Sequence, residues 1–227
     1  MDKELKYGKH GRPVNDNPKD KLYTISSDTD GVLANWVKGY LKVFNAKYGT
    51  KITEAQWAEE PWKVNPPLMT KKQFEDAFDD MLKVPEFYLN LEPYKNVDFT
   101  AINSDLENAL YNFYVVTVRV NLTADSGITD TNQLLSRWMH KVGVPLVTGC
   151  NAGAEDRPKL LEHLGVDFHL DDYFKQVDKI NKYGKTKAFL MDRSWNQQYD
   201  VGDLRVHSFD EFLMKTVWPK EVEAKSE

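Results

Sequence analysis

The stretch SSDTDGVLANW runs from Ser26 to Trp36 and follows the apolar run LYTI. Two aspartates, Asp28 and Asp30, therefore stand where a strand should end. A glycine comes next, and a helical pattern after it. Carboxylates crowded at a strand end repel one another unless a positive charge lies between them. Hard carboxylate oxygens at an open, water-accessible site suit Mg²⁺ as that charge.

Working outward, nearly continuous apolar runs recur: LYTIS (22–26), FYVVTV (113–118), PLVTG (145–149), DFHL (167–170), KAFLMD (187–192) and LRVH (204–207). This is the pattern of strands buried on both faces. Helical patterns separate them. ITDTNQLLSRWMHKVG (128–143) offers Thr129 or Asp130 as a cap and Gly143 as a stop. AEDRPKLLEHLG (154–165) stops at Gly165, and SFDEFLMKTVW (208–218) opens with a capping-box spacing from Ser208 to Glu211. The alternation predicts an α/β fold, a doubly wound parallel sheet with helices on both sides.

One segment breaks the rhythm. Between about Trp36 and Tyr111 no convincing strand pattern occurs, and helical patterns cover 32–48, 70–83 and 98–111. This predicts a helical cap over residues 36–111, inserted after the first strand of a core made of 21–35 and 112–227. An insertion there sits above the strand C-termini, where open α/β sheets bind ligands, and can close as a lid. Residues 1–20 read as a polar, flexible arm.

A chain of 227 residues holds one sizeable domain, or one domain with an insertion. The net charge of −5 argues against general polyanion binding, so a nucleic-acid partner is not expected. The single cysteine, Cys150, cannot form an internal disulfide, which suits a reducing cytosol. No apolar run is long enough to span a membrane, and no apolar signal-peptide core is visible. The expectation is a cytoplasmic protein with no membrane partner; a homodimer stays open.

The strand ends collect the chemistry. Asp28 and Asp30 follow the first, Thr117 ends the second with Arg119 two residues on, and Asp171-Asp172 follow DFHL. Lys159 lies near the start of a later helix. This arrangement resembles the haloacid dehalogenase (HAD) superfamily of phosphohydrolases. Its four motifs match in order: DTDGVL, FYVVTVR, the lysine of DRPKLLEHLG, and FHLDD. The resemblance runs from about Leu22 to Trp218. It implies that Asp28 attacks phosphorus, that Asp30 works as general acid and then base, and that Thr117 bonds a phosphoryl oxygen. Lys159 would neutralise charge, with Lys141 and Lys175 as alternatives. Mg²⁺ would sit between Asp28, the backbone carbonyl of Asp30 and the Asp171/Asp172 pair.

Three further stretches narrow the resemblance. DTDGVLANW, PEFYLNLEPYKN (85–96) and FLMDRSWNQQ (189–198) look like parts of 5′(3′)-deoxyribonucleotidases and related proteins, which favours a nucleoside monophosphate as substrate. Ser194 stands where that pattern has proline, and Val118 where a small residue is commoner. Arg119, Phe87 and Tyr88 are the candidate substrate contacts, the two aromatics by stacking on a base. Plainer readings stand beside these. An aspartate after a strand is most often a cap, an aromatic in a cap is most often core, and Arg119 can pair with a carboxylate. His169 reads as a buried strand residue, and Trp36 as packing. Two rival functions are a 3′-phosphatase on nucleic-acid ends, because RWMHKVGVPLV (137–147) resembles the phosphatase half of polynucleotide kinases, and a non-catalytic nucleotide- or partner-binding protein.

Overall fold

The computed structural model describes residues 23–60, 63–66, 68–108, 110–125, 127–144, 148–151, 153 and 155–217, and the backbone at 6–7 and 13–14. The last four form a short antiparallel pair, β1 (Lys6–Tyr7) with β2 (Pro13–Val14). The rest of the expected N-terminal arm lies outside the described residues.

Six parallel strands make the main sheet: β3 (Tyr23–Ser27), β4 (Tyr111–Thr117), β5 (Thr148–Asn151), β6 (Phe168–Asp171), β7 (Lys187–Met191) and β8 (Arg205–Val206). Their order across the sheet is β5-β4-β3-β6-β7-β8. The chain winds one way from β3 to β5, returns, and winds the other way from β6 to β8. The order therefore reverses between β3 and β6, and such a switch point opens a crevice beyond the strand C-termini. Register sets its contents. Ser27 pairs with Leu170, and the Asp28 amide donates to the Leu170 carbonyl at 2.8 Å. Asp28 thus leaves β3 beside the Asp171-Asp172 end of β6.

Side chains alternate across the sheet, and the core divides accordingly. Val115, Phe189 and Met191 join one apolar cluster with Leu134 and Trp138 of α4 (Thr131–Lys141) and Phe209, Phe212 and Leu213 of α7 (Phe209–Thr216). Val116, Ala188 and Leu190 join a second with Leu161 of α5 (Arg157–His163) and Val177 and Ile180 of α6 (Phe174–Tyr183). Both faces are covered, which is why the strands read as continuous apolar runs.

Caps follow the sequence signals closely. Asp130 caps α4 by accepting from the Gln133 amide at 2.8 Å, a contact of about 1 kcal/mol. Ser208 accepts from the Glu211 amide at 3.1 Å, while Glu211 reaches back to the His207 amide at 2.8 Å. The expected PLVTG strand begins at Thr148; residues 145–147 lie outside the described ones.

Between β3 and β4 the described residues hold no strand. They hold α1 (Trp36–Tyr48), α2 (Lys71–Leu82), α3 (Phe99–Glu107) and two short 3-10 turns, Glu54–Gln56 and Phe87–Asn90. Tyr40 centres the packing of α1 on α2. Its ring lies 5.1 Å from Trp36, 5.3 Å from Phe74 and 5.8 Å from Trp57, and its hydroxyl donates to the Phe74 carbonyl. α3 packs on β4 and sets Phe99 edge-on to Trp138 of α4. No helix among the described residues is long and apolar enough to cross a membrane.

Candidate active site

A cleft of about 320 Å³ opens at the switch point. Its floor carries Asp28, Asp30, Arg119, Arg157 and Asp171 from the sheet edge and α5, and its walls carry Trp36, Phe78 and Tyr88 from the insertion. Carboxylate oxygens of Asp28, Asp171 and Asp172 lie within 4.8 Å of one another. The β3–α1 turn makes that approach possible. Gly31 has φ +84°, and a Cβ on it would stand 2.2 Å from Asp172 Oδ2. Only glycine fits there without displacing the carboxylate.

Asp171 is fully buried and both its oxygens are engaged. Oδ1 accepts from the Tyr173 amide at 2.8 Å, and Oδ2 accepts from Arg157 and from His169 Nε2 at 3.3 Å. Burial works to raise its pKa, but the Arg157 guanidinium and these hydrogen bonds hold it below the usual carboxylate range. Burial keeps His169 neutral, so its Nε2–H donates to Asp171 while Nδ1 accepts from the Ser26 hydroxyl at 2.7 Å.

Asp172 is also buried but differently placed. Oδ2 accepts from Trp195 Nε1 at 2.9 Å, and Oδ1 has no hydrogen-bond partner. Burial, then the charges of Asp171 and Asp28, push its carboxyl well up. Asp28 Oδ1 likewise accepts no hydrogen bond and lies 3.9 Å from Arg157 Nη2. Burial pushes Asp28 up to about 7 against the pull of Arg157. Two buried carboxylate oxygens without hydrogen-bond donors, in a cluster of three carboxylates, leave a need for charge beyond what Arg157 supplies. The donor set is all carboxylate, so these residues fit a hard divalent cation such as Mg²⁺.

Asp30 is gripped from the other side. Arg119 Nε donates to Oδ2 at 2.7 Å and Nη2 to Oδ1 at 2.6 Å, a bidentate charge-assisted pair. Arg119 is itself buried, stacked on the Tyr88 ring at 4.6 Å, with Nη1 unpartnered. Tyr88 donates its hydroxyl to the Val120 carbonyl at 3.0 Å. Thr117 ends β4 fully buried, and its Oγ1 has no partner.

The structure thus brings together Asp28, Asp30, Arg119, Tyr88, Asp171 and Asp172, with Thr117 buried at the end of the neighbouring strand β4. It does not bring in Lys159 or Phe87. Lys159 is exposed on α5, because the face of that helix turned to the sheet carries Arg157, two residues earlier. Arg157, not Lys159, is the basic side chain beside Asp28 and Asp171. Phe87 is buried inside the insertion, edge-on to Tyr88 and close to Gly39, and does not line the cleft. Tyr88 reaches the cleft with one ring face under Arg119 rather than free for a base. Sequence reasoning also passed over Arg193 and Trp195. The signal was present in FLMDRSWNQQ, which runs out of the end of β7 and sets Arg193 against the β3 turn.

No family model matches the sequence, and no curated protein matches it closely. Among solved structures, the chain is similar to a predicted phosphoglycolate phosphatase from Haemophilus somnus. The TM-score is 0.52 at 12% identity, over 86% of this chain and 98% of that one. It is also similar to a HAD-superfamily hydrolase, subfamily IA, variant 1, from Geobacter sulfurreducens, with TM-score 0.51 at 13% identity, over 85% and 95%. The fold is that of HAD-superfamily hydrolases. At such identity the likeness speaks for the fold alone.

Proposed function

We propose that the protein is a Mg²⁺-dependent HAD phosphatase that hydrolyses a (deoxy)ribonucleoside monophosphate through an aspartyl-phosphate on Asp28. The observation that carries this reading is the pair of unpartnered oxygens, Asp28 Oδ1 and Asp172 Oδ1, in a carboxylate cluster whose Asp28 and Asp171 line the floor of a cleft with aromatic walls. Asp28 and Asp172 would hold the cation through those oxygens. Bound there, it would offset their charge and that of a phosphoryl oxygen.

The chain's own residues do the rest. An Asp28 oxygen attacks phosphorus; a P–O bond forms on Asp28 as the bond to the leaving oxygen breaks. Arg157 and the Thr117 hydroxyl stabilise the charge on the phosphoryl oxygens. Asp30 gives a proton to the leaving oxygen, then takes one from the water that releases phosphate. Asp30 is tied at both oxygens to Arg119, so that pair must open for either step. An incoming phosphate offers Arg119 a substitute anion. The walls suit the leaving group: Trp36 and Phe78 present aromatic surface, and Val118 and Val120 are exposed beside them. A flat base has more to gain there than against Phe87 or Tyr88.

Phosphate release from nucleoside 5′- and 3′-monophosphates, with Mg²⁺ or with EDTA, tests the reading. Release that needs Mg²⁺ and vanishes in Asp28→Asn is the expected result. Activity only on 3′-phosphorylated oligonucleotides would replace the substrate class. Activity on none would remove the enzyme reading.

A further inference from the structure

The segment after β7, Asp192 to Asn196, braces the floor from behind. Arg193 Nε donates to the Gly31 carbonyl at 2.6 Å and Nη2 to the Val32 carbonyl at 3.3 Å, while its guanidinium stacks on Tyr94 at 4.0 Å. Asn196 donates from Nδ2 to the backbone carbonyls of Asp172, at 3.0 Å, and Met191, at 2.8 Å. Ser194 ties the same segment to the insertion by donating to the Trp57 carbonyl at 2.8 Å. The backbone on both sides of the Asp172 side chain is therefore fixed from one loop.

Within that frame the Asp172 carboxylate has little freedom. Gly31 closes against it, and the Trp195 indole N–H holds Oδ2 at 2.9 Å. Oδ1 alone is left without a donor, 1% of the residue being exposed. We infer that Trp195 is a positioning residue that makes Asp172 a one-oxygen ligand and thereby sets the site's preference for Mg²⁺ over Ca²⁺. The inference rests on the Mg²⁺ reading given above. Its physical basis is the difference between the two ions. Mg²⁺ demands a tight octahedron with carboxylates bound through single oxygens, whereas Ca²⁺ takes six to eight oxygens and readily accepts both oxygens of one carboxylate. An indole N–H on Oδ2 favours the first arrangement and opposes the second. A buried hydrogen bond to a ligand oxygen also fixes the ligand's orientation, which holds affinity.

The test is binding, not turnover. Mg²⁺ and Ca²⁺ would each be titrated calorimetrically into the metal-free protein and into Trp195→Phe. The expected result is a Mg²⁺ affinity lower by roughly 10-fold, as for lost outer-shell partners, with Ca²⁺ affected less, so that the Mg²⁺/Ca²⁺ preference falls. An unchanged preference in a variant that binds both ions overturns the inference and leaves the metal site standing. A parent protein that binds neither ion overturns both. Trp195 is fully buried, so the unaltered protein supplies a second readout should the variant not fold. Its indole N–H resonance must move as Mg²⁺ is added; a resonance that stays put at saturation overturns the inference.

Discussion

In the floor of the cleft Asp30, Asp171 and Asp172 are held by named polar partners, whereas Trp36 and Phe78 in its wall are held by ring packing. Asp171 has Arg157, His169 and the Tyr173 amide; Asp172 has Trp195; Asp30 has Arg119. Trp36 has the Tyr40 ring stacked at 5.1 Å, and Phe78 has Phe74 at 6.2 Å and Trp36 at 6.3 Å. The difference separates two tasks. Hydrogen-bonded charge in a buried setting fixes a geometry to within tenths of an ångström and suits reacting groups. Apolar packing tolerates changes of volume and suits a surface that chooses among leaving groups. Substitutions in the floor should therefore act on chemistry and folding, and substitutions in the wall on substrate affinity.

The largest effect belongs to the nucleophile. Asp28→Asn is expected to lower turnover by about 10³-fold or more, since removing one member of a concerted set costs nearly as much as removing all. Phosphate release under saturating substrate reads it. The next largest is a stability effect. Arg157→Ala leaves Asp171 buried without its cation and should cost about 3–5 kcal/mol in denaturant unfolding. Lys159→Ala, on the exposed face of the same helix, should change stability by no more than about 0.5 kcal/mol and leave activity intact. Equal effects of the two would erase the distinction between a partnered floor and a solvated helix face.

These two residues also mark how far the sequence could be read. The switch-point fold and the convergence of acidic residues at its strand ends were legible, because strands buried on both faces leave continuous apolar runs and the aspartates sit at their ends. The basic residue was not. DRPKLLEHLG offers Arg157 and Lys159 two positions apart, and which faces the sheet depends on where the helix starts. α5 begins at Arg157, with Pro158 in its first turn, and that phase turns Lys159 outward. That Arg119 can pair with a carboxylate is readable in the sequence, but Asp30 as that carboxylate is not, because side chains far apart in the chain reveal their partner only in three dimensions. Phe87 and Tyr88 illustrate the weakest reach: neighbours in sequence, one buried in the insertion and one beneath an arginine.

A smaller effect sharpens the comparison through pH. Burial raises Asp28 from 3.8 in the unfolded chain to about 7 in the folded one. The folded state then binds more protons between these values, so this group's contribution to stability falls as pH rises toward 7 and is level above it. Asn carries no such charge. Without metal, Asp28→Asn should be more stable than the parent at pH 8, and the gap should narrow steadily as pH drops from about 7 toward 3.8. Thermal unfolding of both proteins with EDTA across that range measures it. A gap that ignores pH would mean that Asp28 already has its counter-charge in Arg157.

The smallest effect is expected in the wall, and it is the one that separates recognition from chemistry. Phe78 is half-buried on α2 and borders the cleft, while Trp36 is nearly enclosed and supports Tyr40. Truncating Trp36 would disturb the α1–α2 contact as well as any ligand, so Phe78→Ala is the cleaner probe. Losing an aromatic face under a base costs about 1–3 kcal/mol of binding. That contact is the same in ground state and transition state, because the base does not change during the reaction. Uniform binding of this kind raises KM and leaves kcat alone. The expected outcome is a KM about 10-fold higher for a nucleoside monophosphate, with kcat held and with no change for a small phosphate ester that cannot reach the wall. A fall in kcat for both substrates would show that the insertion positions the floor as well as the base, and the two regions would no longer be separable.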